Sequence, residues 1–320
     1  MTLAPRTLGS TPIEISPLGL GTWSFGGRAY GPMSTREARL VLEKAMAVGI
    51  DFFDTSSNYG NGRSEEILGQ ALKPRRDEIV LCTKGGNGLE AGRAVKRFDP
   101  DFLERALAQS LRRLQTDYVD IYLLHNPPVQ VLREGTVFEW LERQVGLGKI
   151  RHWGASLYDN YEDARLALDA GAQVIEARYS LLRTDLLPRI ENDLRAAGCA
   201  FIARSPLDSG LLTGKYGIES TFDATNDYRA RWSRRFLKSA DAALDELSWL
   251  VSEGFCETIH EAAIRFAVYG AGVTAAIPGA KTPEQLLINF QAALKGPLPQ
   301  EALTRITLVR DKYHEEIGLH

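Results

Sequence analysis

Short apolar runs alternate with amphipathic stretches along most of the chain. Eight of these runs have the length of a buried strand and are bounded by turn-forming residues such as Gly, Pro, Asn or Asp. They lie near residues 15–21, 50–54, 79–83, 119–124, 150–155, 173–177, 199–203 and 273–277. Continuous apolar runs of this kind are typical of parallel strands that are covered on both faces. A hairpin over residues 6–16 precedes them.

Helical periodicity fills the intervals between these strands. The predicted helices cover 34–47, a stretch that opens at Ser64, 99–114, 132–147, 160–169, 185–196, 235–252, 257–269 and 283–294. A Gly-rich loop is expected after the third strand, and an irregular segment over 207–234. Eight strand–helix units favour an α/β fold of the closed (β/α)₈ TIM barrel type over an open sheet. We expect one domain over 1–320, with an N-terminal β-hairpin and a C-terminal helical tail.

The composition narrows the range of partners. The chain has 320 residues, 44% of them hydrophobic, and a formal net charge of -3. This charge gives no reason to expect nucleic acid or an anionic membrane as a partner. The longest apolar runs fall short of the ~20 residues that a membrane span needs, and the N-terminus lacks the apolar segment of a signal peptide. Three cysteines without metal-ligand spacing fit a reducing environment, so we expect a cytoplasmic protein.

Chemistry in such a barrel lies at the carboxyl ends of the strands. The second strand ends at Asp54 with Tyr59 on its loop, the third at Lys84, and the fourth at His125. Asp54 and Lys84 follow adjacent strands, so their charges can pair. We expect the Lys84 ammonium to lower the pKa of Tyr59, which can then donate a proton to a carbonyl oxygen that His125 also contacts. None of these residues supplies a hydride, so redox chemistry requires a nicotinamide cofactor.

Five segments carry a family resemblance. They are GIDFFDTSSNYGNGRSEEILGQAL, VLCTK, IYLLHNPP, GLLTGKY and IPGAKTPEQLLINF, and in this order they resemble an aldo-keto reductase over roughly residues 7–295. The resemblance implies a barrel that binds NADP(H) without a Rossmann fold. It also implies the catalytic tetrad Asp54, Tyr59, Lys84 and His125, with Tyr59 as general acid and base. The implied reaction is hydride transfer to or from a small aldehyde, ketone or sugar.

The resemblance further implies a set of cofactor contacts. These are Gly21, Thr22, Trp23, Ser156, Glu176, Arg204, Ser205, Leu207, Gly210, Lys215, Gly279, Lys281, Gln285 and Asn289. Glu176 replaces the usual Gln and can only accept hydrogen bonds when ionised. Leu157 replaces an Asn, and Arg204 replaces an aromatic residue that stacks on the nicotinamide, although a guanidinium can also stack. Lys281 lies where the family binds the 2′-phosphate, which predicts a preference for NADP(H).

Several alternatives remain open at this stage. Lys84 could form a Schiff base, as in barrel aldolases, and the same fold also serves as a nucleotide-sensing channel β subunit. The aromatic residues Trp23, Phe25, Tyr30 and Trp232 line a substrate pocket or simply pack. The basic segment 229–238 covers cofactor phosphates or faces solvent, and His260 is expected to face solvent. No spacing of His, Cys, Asp or Glu predicts a metal site. The substrate and the oligomeric state cannot be predicted.

Overall fold

A computed structural model describes residues 2–90 and 93–317, and a parallel barrel is its central feature. Its strands are β1 (Arg6–Thr7), β2 (Glu14–Ile15), β3 (Leu20–Gly21), β4 (Phe52–Asp54), β5 (Val80–Gly85), β6 (Asn87–Glu90), β7 (Arg93–Lys96), β8 (Val119–His125), β9 (Ile150–Ser156), β10 (Val174–Arg178), β11 (Ala200–Arg204) and β12 (Ala275–Ile277). Strands β3–β5 and β8–β12 form one sheet in chain order. Backbone pairing of Leu18 with Ala276 and of Gly21 with Gly279 joins its two edges. The eight predicted strands and the (β/α)₈ barrel are therefore confirmed.

Helices cover the outside of the barrel. They are α1 (Thr35–Ala47), α2 (Arg63–Leu72), α3 (Pro100–Leu114), α4 (Val129–Glu134), α5 (Thr136–Gly146), α6 (Tyr161–Asp169), α7 (Leu187–Ala197), α8 (Arg234–Glu246), α9 (Trp249–Ser252), α10 (Ile259–Val268), α11 (Pro283–Leu294) and α12 (Gln300–Ile317). Ser34 caps α1 in a capping box with Glu37. Within the described part of the chain, none of the helices has the length and apolar character needed to cross a membrane.

Some predicted helix limits are wrong. The helix predicted over 132–147 is two helices, because Gly135 adopts a φ of 75° between them. The one predicted over 235–252 is likewise interrupted between α8 and α9. Ser64 lies inside α2 instead of at its start, and its hydroxyl donates to Thr22 Oγ1 at 2.8 Å. Its burial against the loop after β3 outweighs the usual capping preference of serine.

The hairpin β1–β2 closes the amino end of the barrel. Leu8 and Ile15 from this hairpin join the barrel interior, where they pack with side chains such as Phe52 and Ile121. Ser10 N donates to the carbonyl of Gly198 at 2.8 Å, which fixes the hairpin to the barrel. In the part of the chain that the structure describes, the hairpin therefore covers the interior at this end and leaves the opposite end open.

A second hairpin, β6–β7, stands where the sequence predicted only a Gly-rich loop. Its strands pair antiparallel with Asn87 opposite Lys96. The hairpin follows β5 directly, so it lies beside the carboxyl ends of the barrel strands. Asn87 Nδ2 donates to the carbonyl of His125 at 3.2 Å. The weak alternation of apolar and polar residues in these short strands explains why the pattern did not reveal them.

Candidate active site

A cavity of about 290 Å³ opens at the carboxyl ends of the strands. Residues from several strands and loops line it, among them Trp23, Asp54, Tyr59, His125, Glu176 and Arg204. Parallel strands of a barrel all end on this side, which is why residues distant in sequence converge here. The N-terminal hairpin covers the opposite end of the barrel.

Lys84 is the residue around which the site is built. Its side chain is fully buried, and Nζ donates to Asp54 Oδ2 and, at 3.1 Å, to the carbonyl of Thr55. Strand pairing sets Asp54 beside Cys82, so Lys84 lies two residues further along the same face of β5. The predicted pairing of Asp54 with Lys84 is present. The ammonium also lies 5.8 Å from the centre of the Tyr59 ring.

The loop that carries Tyr59 is held by close backbone contacts. Tyr59 N donates to the carbonyl of Ser56 at 3.1 Å, and the Tyr59 carbonyl accepts from Ser64 N at 3.2 Å. Gly60 follows with a φ of 59°, and a Cβ at that position would lie 2.5 Å from the carbonyl oxygen of Gly26. Only glycine fits this approach. The Tyr59 ring thereby lies 6.1 Å from the His125 ring, centre to centre.

The direction of the Tyr59 pKa shift differs from the sequence prediction. Burial raises the pKa of Tyr59 well above its ordinary value, and the Lys84 ammonium offsets this only in part. The prediction of a lowered Tyr59 pKa is therefore wrong. Desolvation of the phenolate raises the pKa by more than the Lys84 ammonium lowers it. Tyr59 carries its proton at neutral pH, which is the form that a proton donor needs.

His125 is neutral at neutral pH. Burial and the charges of Lys84 and Arg204 hold the pKa of His125 well below its ordinary value. Its Nδ1 lies 2.9 Å from the hydroxyl of Ser56, which in turn lies 2.8 Å from the Asn58 side chain. Sequence analysis did not single out Ser56. The only signal was its place two residues after Asp54, on the loop that follows β4.

Glu176 contacts two other residues of the site. Ser156 Oγ donates to its Oε1 at 2.9 Å, and its Oε2 lies 3.1 Å from Lys84 Nζ. The lysine thus lies between two buried carboxylates. Burial and the neighbouring Glu176 raise the pKa of Asp54 to about 8, against the opposing effect of Lys84. The same two carboxylates raise the pKa of Lys84 well above its ordinary value, although burial acts in the opposite direction.

These carboxylates do not fit a metal site. Among the described residues, Asp54, Cys82 and Glu176 are the one group whose potential ligand atoms lie within 4.8 Å of one another. The Lys84 ammonium already contacts both carboxylates and supplies the positive charge. Burial also raises the pKa of the Cys82 thiol well above its ordinary value, which disfavours the thiolate that a metal would bind.

Several of the predicted cofactor residues line the same cavity. These are Gly21, Thr22, Trp23, Glu176, Arg204, Ser205 and Gly279. Ser156 lies buried behind Glu176. Arg204 Nη2 donates to the backbone carbonyl of Leu157 at 3.0 Å, so the residue that replaces Asn holds Arg204 through its main chain. Leu207 and Gly210 belong to the turn after β11, where Gly210 has a φ of 96°.

A second group of predicted cofactor residues lies at the start of α11. Lys281 Nζ donates to the carbonyl of Tyr30 at 2.7 Å, and Gln285 Oε1 accepts from Lys281 N at 2.9 Å. Asn289 Oδ1 lies 2.6 Å from His260 Nε2. The expectation that His260 faces solvent is therefore wrong, because α10 packs against α11 and turns it inward. Lys215, on the loop after β11, is exposed.

Some of the predicted aromatic and basic positions line the cavity, and others do not. Trp23, Tyr30 and Trp232 line the cavity, whereas Phe25 is fully buried as packing. In the basic segment 229–238, Arg229 is buried and pairs with Asp227 at 2.7 Å, whereas Arg234 is largely exposed. The segment is thus neither a uniform solvated face nor a uniform cofactor cover.

The parallel barrel, the buried pair of Asp54 and Lys84, and Tyr59 near this pair agree with the family that the sequence resembles. The model of the Aldo/keto reductase family matches residues 17–311, and the chain belongs to this family. It is similar to the uncharacterized oxidoreductase YqkF of Bacillus subtilis, with 30% identity over 305 residues that cover 93% of this chain and 94% of that protein. The holo-form structure of the aldo-keto reductase AKR11C1 from Bacillus halodurans is also similar, with a TM-score of 0.81, 26% identity and 96% of each chain covered.

A relative whose name gives a different role is also similar. The probable voltage-gated potassium channel subunit beta of Arabidopsis thaliana is 30% identical over 338 residues, which cover 98% of this chain and 96% of that protein. Family membership supports a carbonyl-reducing oxidoreductase that uses a nicotinamide cofactor and a small-molecule substrate.

Proposed function

We propose that the protein is an NADP(H)-dependent reductase of aldehydes, ketones or sugars, and that it catalyses the reverse oxidation of the alcohols. The observation that carries this proposal is the fully buried Lys84 ammonium beneath a protonated Tyr59. Tyr59 acts as general acid in reduction and as general base in oxidation. General acid catalysis of this kind contributes about 10²- to 10⁴-fold to a rate.

Each residue of the tetrad has a separate task. The bound cofactor supplies the hydride. Tyr59 gives its proton to the carbonyl oxygen, and the Lys84 ammonium stabilises the phenolate that remains. Asp54 holds Lys84 in place through the contact between Nζ and Oδ2, and together with Glu176 it favours the charged form of Lys84. His125 donates from Nε2 to the same substrate oxygen.

The donor role of His125 depends on Ser56. A neutral imidazole carries one proton, so Nε2 can donate only if Nδ1 accepts. Ser56 donates its hydroxyl proton to Nδ1, across the observed 2.9 Å. Because a hydroxyl has only one proton, the Asn58 amide must then donate to the Ser56 oxygen, with its nitrogen turned toward it. Ser56 is a positioning residue in this account.

The aldolase alternative is disfavoured by the burial and charge of Lys84. A Schiff base requires a neutral amine that a substrate carbonyl can reach. Lys84 is fully buried, and two carboxylates stabilise its charged form. Borohydride treatment with a carbonyl substrate should therefore trap no adduct at Lys84, as mass spectrometry of peptides would show. A trapped adduct would support the aldolase instead.

Preference for NADP(H) rests on Lys281 and the amino end of α11. Thr282 caps this helix, and the free N–H groups of its first turn favour an anion. Lys281 adds a full charge at the same place. The 2′-phosphate that distinguishes NADP from NAD would bind Lys281, with Gln285 one turn further on and Asn289 toward the adenine.

A nucleotide-sensing subunit is the second candidate, favoured by the similarity to the plant channel subunit. The proximity of Tyr59, Lys84 and His125 favours the enzyme, because a sensor has no need of a proton donor. Steady-state NADPH oxidation with a panel of aldehydes, ketones and sugars separates the two. The enzyme proposal predicts turnover with at least one class. Tight NADPH binding without turnover across the panel would support the sensor.

A further inference from the structure

Asp54, Lys84 and Glu176 form a buried group with more acid than base, which we name the buried trio. These residues are only 2%, 0% and 1% exposed, respectively. Lys84 Nζ contacts Asp54 Oδ2 and lies 3.1 Å from Glu176 Oε2. If all three groups are ionised, the trio carries one uncompensated negative charge. An uncompensated charge that has no access to water is costly, so groups in this position take up or release a proton instead.

The groups that surround the trio do not cancel this charge. Cys82 on β5 and Tyr59 on the loop after β4 hold their protons, because burial raises both pKa values well above their ordinary values. His125 on β8 is neutral, because burial and nearby cations lower its pKa. Ser156 on β9 donates a hydrogen bond to Glu176 but carries no charge.

One further cation lies nearby on β11. Arg204 is only partly buried, and its Nη2 is bound to the Leu157 carbonyl. Its charge acts on Tyr59 and His125, whereas Asp54 is governed by burial, Glu176 and Lys84. The trio therefore has to balance its own charge, and two carboxyl groups that share one site cannot both ionise easily.

We propose that the trio holds one exchangeable proton, and that binding of the oxidised, cationic nicotinamide releases this proton to solvent. The second part rests on the proposed function. Asp54 and Glu176 both line the cavity, so a positive ring there supplies the missing charge. No bond to the cofactor forms, and no electron moves. The reduced ring is neutral and leaves the proton in place.

Glu176 is the residue that creates this linkage. With glutamine at this position, only the Asp54–Lys84 pair would remain. This pair has no net charge and no proton to release. The relative affinity for oxidised and reduced cofactor therefore depends on pH. Affinity for NADP⁺ should rise with pH through the ionisation of the trio, whereas affinity for NADPH should not. Glu176 is then a positioning residue for Lys84 and a determinant of cofactor redox-state preference.

Infrared spectroscopy of the cofactor-free protein tests the first part directly. A protonated carboxylic acid gives a carbonyl band above the amide bands, and carboxylates do not. The wild type at neutral pH should show a band from a buried acid, and Glu176→Gln and Asp54→Asn should each lack it. Glu65→Gln is the matched control, because Glu65 is buried but pairs with Arg113 at 2.6 Å. Absence of the band from the wild type, or its persistence in both trio variants, overturns the proposal.

Cofactor titration tests the second part. The ratio of NADP⁺ to NADPH affinity is measured by fluorescence from about pH 6 to about pH 9, a range that brackets the trio's ionisation. In the wild type the ratio should rise by up to about tenfold per pH unit, and in Glu176→Gln it should stay flat. Phosphate ionisation is common to both cofactors and cancels in the ratio. Calorimetry in two buffers of different ionisation enthalpy should show more proton release with NADP⁺ than with NADPH in the wild type, and no such difference in Glu176→Gln.

The two proposals fail in different ways. Equal pH slopes for the two cofactors in the wild type, with both bound, would overturn the linkage and leave the reductase intact. If neither cofactor binds, the proposed function fails, and the infrared band still decides whether the trio holds a proton.

Discussion

Two buried charge clusters lie at opposite ends of the barrel, and they balance charge in opposite ways. At the open end, two carboxylates share the single ammonium of Lys84. At the amino ends of the strands, one carboxylate, Asp120, pairs with Arg76 at 2.7 Å and Arg151 at 2.8 Å. The first cluster has an excess of acid and the second an excess of base.

The difference lies in where the excess charge is placed. The side chains of Arg76 and Arg151 are 12% and 53% exposed, so water stabilises the extra positive charge. Both guanidinium groups also lie over the Tyr118 ring, at 4.0 and 4.2 Å from its centre. Asp54 and Glu176 at the open end are only 2% and 1% exposed, so water stabilises their excess charge much less. We infer that the amino-end cluster stabilises the fold, whereas the excess charge of the buried trio interacts with a bound ligand.

Removing Lys84 should have the largest effect. Lys84→Met leaves two buried carboxylates without a cation, which costs about 3–5 kcal/mol of unfolding free energy when a buried pair is broken. It also removes the charge that stabilises the Tyr59 phenolate, so carbonyl reduction should fall by at least about 10²-fold. Denaturant unfolding and steady-state NADPH oxidation measure the two effects.

The matched variant at the other end is Arg151→Met. It leaves Arg76 paired with Asp120, and Arg151 is half exposed, so stability should change by less than about 1 kcal/mol. Turnover should stay near that of the wild type. If Arg151→Met lowered turnover as much as Lys84→Met, the distinction between the two ends would be wrong.

Lys281 adds a third charge to the comparison. We expect it to change the affinity for a ligand and not the stability of the fold. A charge-assisted hydrogen bond contributes about 1.5–3 kcal/mol, or about ten- to more than a hundredfold in affinity. The wild type should prefer NADPH to NADH by that order, less at high salt, and Lys281→Ala should lose the preference. Fluorescence titration of both cofactors decides this, with Lys295→Ala as the control, since Lys295 pairs with Glu257 and Glu261 away from the cavity. An unchanged ratio in Lys281→Ala would show that this lysine does not bind the phosphate.

Ser56 should have the smallest effect. Ser56→Ala removes the partner that keeps the His125 proton on Nε2, a loss of about one hydrogen bond, so kcat should fall by about tenfold with cofactor affinity unchanged. Ser56→Thr keeps the hydroxyl and should restore most of the activity. A Thr variant as slow as the Ala variant would indicate a packing role for Ser56 instead.

The sequence predicted which residues lie at strand ends, but it did not predict which of these residues are in contact. Asp54, Lys84 and His125 could be predicted because each stands where an apolar run ends, and parallel strands end on the same side. The contact between Glu176 and Lys84 could not be predicted. Their strands, β10 and β5, are separated by β8 and β9 in the sheet, and only the curvature of the closed barrel brings them together.

Burial was the other property that the sequence did not supply. The neighbouring lysine predicted a lowered pKa for Tyr59, but the degree of desolvation, which decides the direction, depends on the folded loop. The prediction that His260 faces solvent was wrong for the same reason, because the packing of α10 on α11 determines its burial. The Ser34 capping box, by contrast, depends on adjacent residues alone, and the helix predicted from residue 34 begins at this cap.

The most direct test of the central claim is the turnover of Tyr59→Phe. The substitution keeps the ring and removes the proton, so we expect NADPH-dependent carbonyl reduction to fall by at least about 10²-fold while NADPH binding persists. Tyr122→Phe is the matched control, because the Tyr122 hydroxyl is buried outside the barrel interior and has no hydrogen-bond partner among the described residues. Wild-type turnover in Tyr122→Phe together with the large loss in Tyr59→Phe supports Tyr59 as the proton donor. Near-normal turnover in Tyr59→Phe would contradict it.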